Sequence, residues 1–163
     1  MHTPLNVSFP PPTGFKEIEA RYGKFKFVPL SKGAIDIDDT WERDNIVMLR
    51  NVCGTKCNIQ LHRLMAPLFE HCLGIALART KYKVRMLGGF VPRHMRHDPK
   101  FPLSIHSWGA AFDVNWDTNP MTSKLVTDLP TGFISAFTDN GWEWGGAWRS
   151  VKDAMHFQYA KGV

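Results

Sequence analysis

One stretch of this chain carries a sustained helical stripe. From Asn58 to about Arg79 the residues Leu61, Leu64, Met65, Leu68, Cys72, Ile75 and Ala76 recur at intervals of three and four, as an α-helix face turned to a core requires. Pro67 lies inside the stripe, where it either kinks the helix or marks a later start, because proline offers no amide hydrogen. The rest is written in shorter pieces. Gly23 reads as the stop of a short helix, Phe25 with Phe27 and Ile35 with Ile37 alternate as strand residues do, and Ile46 to Leu49 can form another strand. Val84 to Phe90 reads as a strand closed by Gly88-Gly89, the basic stretch from Val91 to Pro102 as a surface loop, and Ala111 to Val114 as a buried strand. Asp128 can cap a helix that stops at Asn140-Gly141. These pieces suit a mixed α and β domain without fixing its topology.

At 163 residues the chain is long enough for one domain and too short for two ordinary ones. A hydrophobic share of 44% against 21% charged is globular composition and excludes a disordered charged tail. The formal charge of +5 favours an anionic partner: nucleic acid, a membrane surface or an anionic cell-wall polymer. The basic residues are dispersed and no recognition motif accompanies them, so nucleic acid is not expected. Cys53, Cys57 and Cys72 are too few and odd in number for a disulfide framework, and read as reduced thiols. The proline-rich opening, with Pro10-Pro11-Pro12, reads as a stiff arm outside the core. It carries no basic segment followed by an apolar run, so no signal peptide is expected. No stretch approaches the roughly eighteen apolar residues of a membrane span.

Four polar residues look chemical. His106 opens the phrase S-I-H-S-W-G-A-A-F-D that ends at Asp113, a carboxylate set among Ala111, Phe112 and Val114. An ionised carboxylate in such company needs a partner, and a metal is the strongest available. His156 follows Asp153 by three places; on a helical turn the two side chains share a face, on a strand they point apart. Two imidazoles and a carboxylate suit zinc and leave one coordination position open, as catalytic sites do, with Asp153 the natural proton acceptor. The competing reading has Asp113 capping or bridging locally and the two histidines as separate core residues; spacing alone does not choose. Of the other histidines, His62 and His71 read as boundary or surface residues of the long helix, and His94 and His97 as exposed loop residues. Trp108, Trp144 and Trp148 belong either to the core or to the wall of a polymer cleft. Arg93 and Arg96, in the loop ahead of His106, can hold a carboxylate or an oxyanion, or are simply solvated.

The phrases S-I-H-S-W-G-A-A-F-D-V-N and G-W-E-W-G-G-A-W…K-D-A-M-H-F-Q, in that order, resemble the zinc D,D-carboxypeptidase and L-alanyl-D-glutamate endopeptidase family of peptidoglycan peptidases. The likeness runs from about Gln60 to Tyr159 and is strongest to single-domain endolysins of tailed phages. It implies a small α+β domain of the DD-peptidase and Hedgehog kind, with a central antiparallel sheet and helices packed on one side. It implies one catalytic zinc held by His106, Asp113 and His156, Asp153 as general base, and Arg93 or Arg96 at the substrate, with Arg93 the first choice. Trp144, Trp148 and Trp108 would then line the substrate cleft. Residues 1–45 would be an arm and leader packed on a catalytic domain of residues 46–163. The activity expected is hydrolysis of the L-alanyl-D-glutamate bond of the stem peptide. The alternatives are a D,D- or L,D-carboxypeptidase trimming terminal D-alanine, or a peptidoglycan-binding protein of the same fold that does not cut. The expected setting is a monomer made in the host cytoplasm, released by a separate holin, and acting on bacterial peptidoglycan in the periplasm and cell wall.

Overall fold

The computed structural model describes residues 9–163, and in it the long apolar stripe divides ahead of Pro67. In chain order the elements are α1 (Gly14–Tyr22), β1 (Phe27–Pro29), β2 (Ile35–Ile37), α2 (Asp39–Asn45), β3 (Ile46–Leu49), β4 (Ile59–His62) and α3 (Ala66–Thr80). They continue as β5 (Leu87–Gly88), β6 (Ala111–Val114), β7 (Met121–Thr122), α4 (Thr131–Thr138), β8 (Glu143–Trp144), β9 (Lys152–Asp153) and β10 (His156–Gln158). The expected start of the long helix at Asn58 is therefore wrong. Residues 59–62 pair with β3 as a strand, and the helix begins where Pro67 sits in its first turn, a place that needs no amide hydrogen.

The fold is α+β. β5, β6, β10 and β8 form one antiparallel sheet in that order, while β1–β2, β3–β4 and β7–β9 make separate antiparallel pairs. Helices α3 and α4 lie against each other and cover one face of the four-stranded sheet. Phe69 on α3 meets Phe112 on β6 with ring centres 4.8 Å apart, and Phe137 on α4 meets Phe157 on β10 at 5.3 Å. Phe112 and Phe157 stack on each other at 5.0 Å. Full burial of each such ring stabilises the fold by about 1.5–3 kcal/mol.

The N-terminal segment shares this core. Ile18, Tyr22, Ile35, Ile37 and Trp41 join the same cluster as the sheet residues. The Tyr22 hydroxyl donates to the Tyr159 carbonyl at 2.8 Å, and the Trp108 indole donates to the Gly23 carbonyl at 3.1 Å. Pro12, expected outside the core, is buried, and its carbonyl accepts from the Lys161 amide at 2.9 Å; residues 1–8 of that arm lie outside the described residues.

Two further expectations change. The strand read over Val84 to Phe90 contracts to Leu87–Gly88, because the Arg85 and Met86 amides donate to the Asn115 side chain instead of to a neighbouring strand. Asp128 does not cap α4. Its carboxylate accepts from the Tyr82 hydroxyl and the Asn119 amide, and Pro130 stands at the cap position. No helix among the described residues is long and apolar enough to cross a membrane.

His62, expected at the surface, is 1% exposed. Its Nε2 lies 3.0 Å from the Tyr22 carbonyl and its Nδ1 accepts from the Leu64 amide at 3.2 Å, so both nitrogens are committed in the neutral ring. Burial pushes its pKa down to about 4 from 6.5. Because the folded value lies below the unfolded one, this contribution is complete above pH 6.5 and is lost as pH falls toward 4, by about 3 kcal/mol in all. Thermal melting between pH 7 and pH 4 is expected to show a falling midpoint, and the fall is expected to be shallower in H62Q.

Candidate functional site

Strand register builds the site. His156 on β10 stands opposite Asp113 on β6, and Phe157 opposite Phe112. Side chains on a strand alternate between faces, so the phenylalanines turn to the helices while Asp113 and His156 turn together to the other face. His106 arrives from a single helical turn, Ile105–Trp108, opened by Ser104, whose hydroxyl accepts from the His106 amide at 3.3 Å.

Asp113 Oδ1 lies 3.1 Å from His156 Nδ1 and 3.3 Å from His106 Nε2, and these two ring nitrogens are 3.2 Å apart. The far nitrogens settle the tautomers. His106 Nδ1 is 2.7 Å from the Gly89 carbonyl, which can only accept. His156 Nε2 is 2.9 Å from Gln158 Oε1, and the Gln158 amide nitrogen donates to the Ala160 carbonyl at 3.4 Å, which turns the oxygen toward His156. Both imidazoles thus point an unprotonated nitrogen at the carboxylate. Three electron-pair donors face one point with no proton among them in the neutral rings. A tetrahedral zinc with ligands at about 2.0–2.1 Å has ligand–ligand edges of about 3.3 Å, so the donor set and its spacing fit that ion. The hydrogen-bonded far nitrogens are the usual outer support of such ligands. This removes the reading in which Asp113 acts locally and the histidines stand apart.

Burial alone would raise the Asp113 carboxyl. In their protonated forms the His106 and His156 rings overcome it by charge and N–H donation and hold the group well below the usual carboxylate range. Burial likewise opposes charge on His156, but the hydrogen bond and charge of Asp113 leave its pKa raised.

Asp153 reaches the same place by a route that was neither helical turn nor continuous strand. β9 ends at Asp153, Ala154 and Met155 turn, and β10 begins at His156. Pairing of Asp153 with Met121 on β7 fixes that end. Asp153 is 8% exposed, and its Oδ1 is buried with no hydrogen-bond partner among the described residues. Burial raises its pKa.

A cleft of about 1150 Å³ opens over these groups, with Arg93, Arg96, His106, Asp153, Trp144 and Trp148 among its walls. Burial lowers the Arg93 pKa, while Asp113 and Asp153 pull it back up, which puts the guanidinium in the electrostatic field of both carboxylates. Arg96 stands over the Phe101 ring at 5.0 Å on the exposed rim. The Trp148 ring centre is 5.3 Å from that of His156, with its indole donating to Glu143 Oε1 at 2.7 Å. The Trp144 indole donates to the Ala154 carbonyl at 2.8 Å, inside the turn between Asp153 and His156. Trp108 does not line the cleft. It is 2% exposed and packs under Phe15 and Phe25 of the N-terminal segment.

Sequence reading missed Gln158, Gly89 and Glu143. Gln158 was the accessible one: on a strand it shares a face with His156 two places earlier. Gly89 matters through its backbone. A Cβ there would lie 2.1 Å from the Gln60 carbonyl, so only glycine lets this segment come close enough to β4 to offer its own carbonyl to His106.

A family model described as D-alanyl-D-alanine carboxypeptidase matches residues 97–159. Over that segment the chain is similar to the D,D-carboxypeptidase-type peptidase family. The segment holds His106, Asp113, Asp153 and His156, whereas Arg93, Arg96 and the N-terminal segment lie ahead of it. The match supports a peptidoglycan peptidase of the carboxypeptidase or endopeptidase type and a metal-dependent one. The comparisons find no matching curated protein and no matching solved structure.

Replacing Gln158 with alanine removes the acceptor that fixes the His156 tautomer. Zinc affinity, measured by competition with a chromogenic chelator, is expected to fall by about 10–100-fold with the fold retained.

Proposed function

We propose that this chain is a zinc-dependent endopeptidase that hydrolyses the L-alanyl-D-glutamate bond in the stem peptide of bacterial peptidoglycan. The observation that carries the reading is a buried carboxylate oxygen on Asp153, without a partner among the described residues, in the cleft that His106 and His156 of the His106, Asp113 and His156 donor set also line. A zinc ion held by those three residues would supply Lewis-acid polarisation of the scissile carbonyl and acidify the attacking water.

The chain's own residues do the rest. Asp153 takes the proton of the attacking water and returns one to the leaving amine. Its buried setting raises its proton affinity toward what that shuttle needs. Arg93 directs its guanidinium at the carboxylate or developing oxyanion of the substrate. Trp144 and Trp148 wall the cleft, exclude water and orient the peptide.

The endopeptidase choice is supported by the likeness of the paired histidine–aspartate phrases to phage endolysins. In that setting the protein works as a monomer on the cell wall after release from the host cytoplasm by a separate pore-forming protein. A D,D-carboxypeptidase that trims terminal D-alanine is the second reading, favoured by the description of the matching family model. A binding protein that does not cut would have no use for the Asp153 oxygen.

Mass spectrometry of peptidoglycan fragments after incubation with metal-stripped protein, with and without added zinc, tests this. Zinc-dependent cleavage between L-alanine and D-glutamate is expected; loss of one terminal D-alanine would establish the carboxypeptidase instead, and no product in either arm would sink both. D153A is expected to lose turnover by at least about a hundredfold while still sedimenting with purified cell walls.

A further inference from the structure

The N-terminal hairpin formed by β1 and β2 meets the arginine loop edge on. The Gly33 carbonyl accepts from the His94 amide at 2.7 Å, and the Ile35 amide donates to the Pro92 carbonyl at 3.2 Å. Ala34 and Arg93 form an antiparallel bridge between these bonds. On its other side Arg93 is held by the segment that carries His106. Its amide donates to the Ser107 hydroxyl at 3.0 Å, and its carbonyl accepts from that hydroxyl and from the Ser104 amide, both at 2.9 Å. The Val91 amide adds a bond to the His106 carbonyl at 3.1 Å. Arg93 thus sits in a bridged extended segment, with the turn that carries His106 on one side and the N-terminal hairpin on the other.

Gly33 is where the hairpin fits. Its φ of +69° is a left-handed conformation, and a Cβ on it would lie 2.4 Å from the His97 carbonyl carbon and 2.5 Å from its oxygen. No side chain can occupy that gap unless the loop from Arg93 to His97 moves. Gly33, Ala34, Ile35 and Arg93 precede the segment matched by the family model, and His97 is its first residue, so the hairpin's side of this fit lies outside that match.

We propose that the β1–β2 hairpin is a positioning element for Arg93: by closing the backbone of Pro92 to His94 from the outside, it sets the direction in which the guanidinium enters the cleft. Gly33 is the positioning residue, acting through Arg93 and touching no substrate itself. The proposal rests on the peptidase reading for Arg93's role at the substrate; its structural part does not.

Two readouts test it. G33A is expected to accelerate amide hydrogen exchange at His94 by about tenfold or more, because the bond to the Gly33 carbonyl is displaced, while exchange at Phe112 and Phe157 in the sheet stays as in the parent. Unchanged exchange at His94 would overturn the proposal whatever the activity. The second readout is a double-mutant cycle on kcat/KM with peptidoglycan fragments. G33A is expected to lower kcat/KM by about tenfold or more at unchanged zinc affinity, and to have no further effect once Arg93 is already alanine. Additive losses in G33A/R93A would show that the hairpin acts other than through Arg93. If G33A does not fold, L30P serves. It removes the Leu30 amide bond to the Ala34 carbonyl at an exposed side chain, and is expected to act in the same direction to a smaller degree. A parent without zinc-dependent turnover would sink the peptidase reading alone, and the exchange measurement would still decide the role of the hairpin.

Discussion

Three electron-pair donors, one from Asp113 and one each from His106 and His156, stand within 3.3 Å of one another, a crowding that a flexible surface would relieve by turning the side chains apart. Here each is held from behind. His106 is tied through its far nitrogen to Gly89, His156 to Gln158, and Asp113 is carried on a strand whose neighbouring residue, Phe112, is locked in the core. The hydrophobic face and the face carrying the donor set are therefore alternate residues of the same two strands. Phe112 and Phe157 stack on one side of the sheet, and Asp113 and His156 meet on the other, by one register. A slip of a single residue would turn every one of these side chains to the wrong face.

This explains what could be read from sequence. Asp113 was legible because a carboxylate among Ala111, Phe112 and Val114 is costly without a partner. Ala111 to Val114 was legible as a strand for the same run of apolar residues. The register of β10 against β6 was not, since nothing within either short segment says which residue will stand opposite which. The misreading of residues 59–62 has a similar origin. Leu61 and Met65 are both fully buried and four apart, so a strand followed by a turn into a helix presents the same spacing as one continuous helix. His62 was misplaced with them. Its two hydrogen-bond partners, Tyr22 and Leu64, become visible only once β4 is known to lie beside the end of α1.

The tryptophans show that composition can mark a region without assigning its members. Trp144 and Trp148 do wall the cleft, yet their indole nitrogens are spent on holding neighbours: Trp144 on the turn between Asp153 and His156, Trp148 on Glu143. Trp108, two places from a metal ligand, faces the opposite way and anchors the N-terminal segment through Gly23. Nearness in sequence to His106 is no guide here, because the tight helical turn Ile105–Trp108, with three residues per turn, swings adjacent side chains by about 120°.

The site is divided between local and distant parts of the chain, and the division has a physical reason. His106, Asp113, His156 and Asp153 are placed by the helical turn Ile105–Trp108, β6, β10 and the end of β9, all within the segment that matches a known family. The arginine that lines the cleft is placed by backbone bonds to Ser104 and Ser107 on one side and to Gly33 and Ile35, some sixty residues away, on the other. The Arg93 side chain bonds within its own loop, Nη1 donating to the His94 carbonyl at 3.3 Å, so its direction follows the backbone of that loop. Both its sheet neighbours must then fix its backbone, and the second neighbour can be recruited from any part of the chain that reaches the edge. The N-terminal segment does so because Tyr22, Ile35, Ile37 and Trp41 are already bound into the common core, so the hairpin is delivered to the arginine loop by the same burial that stabilises the fold.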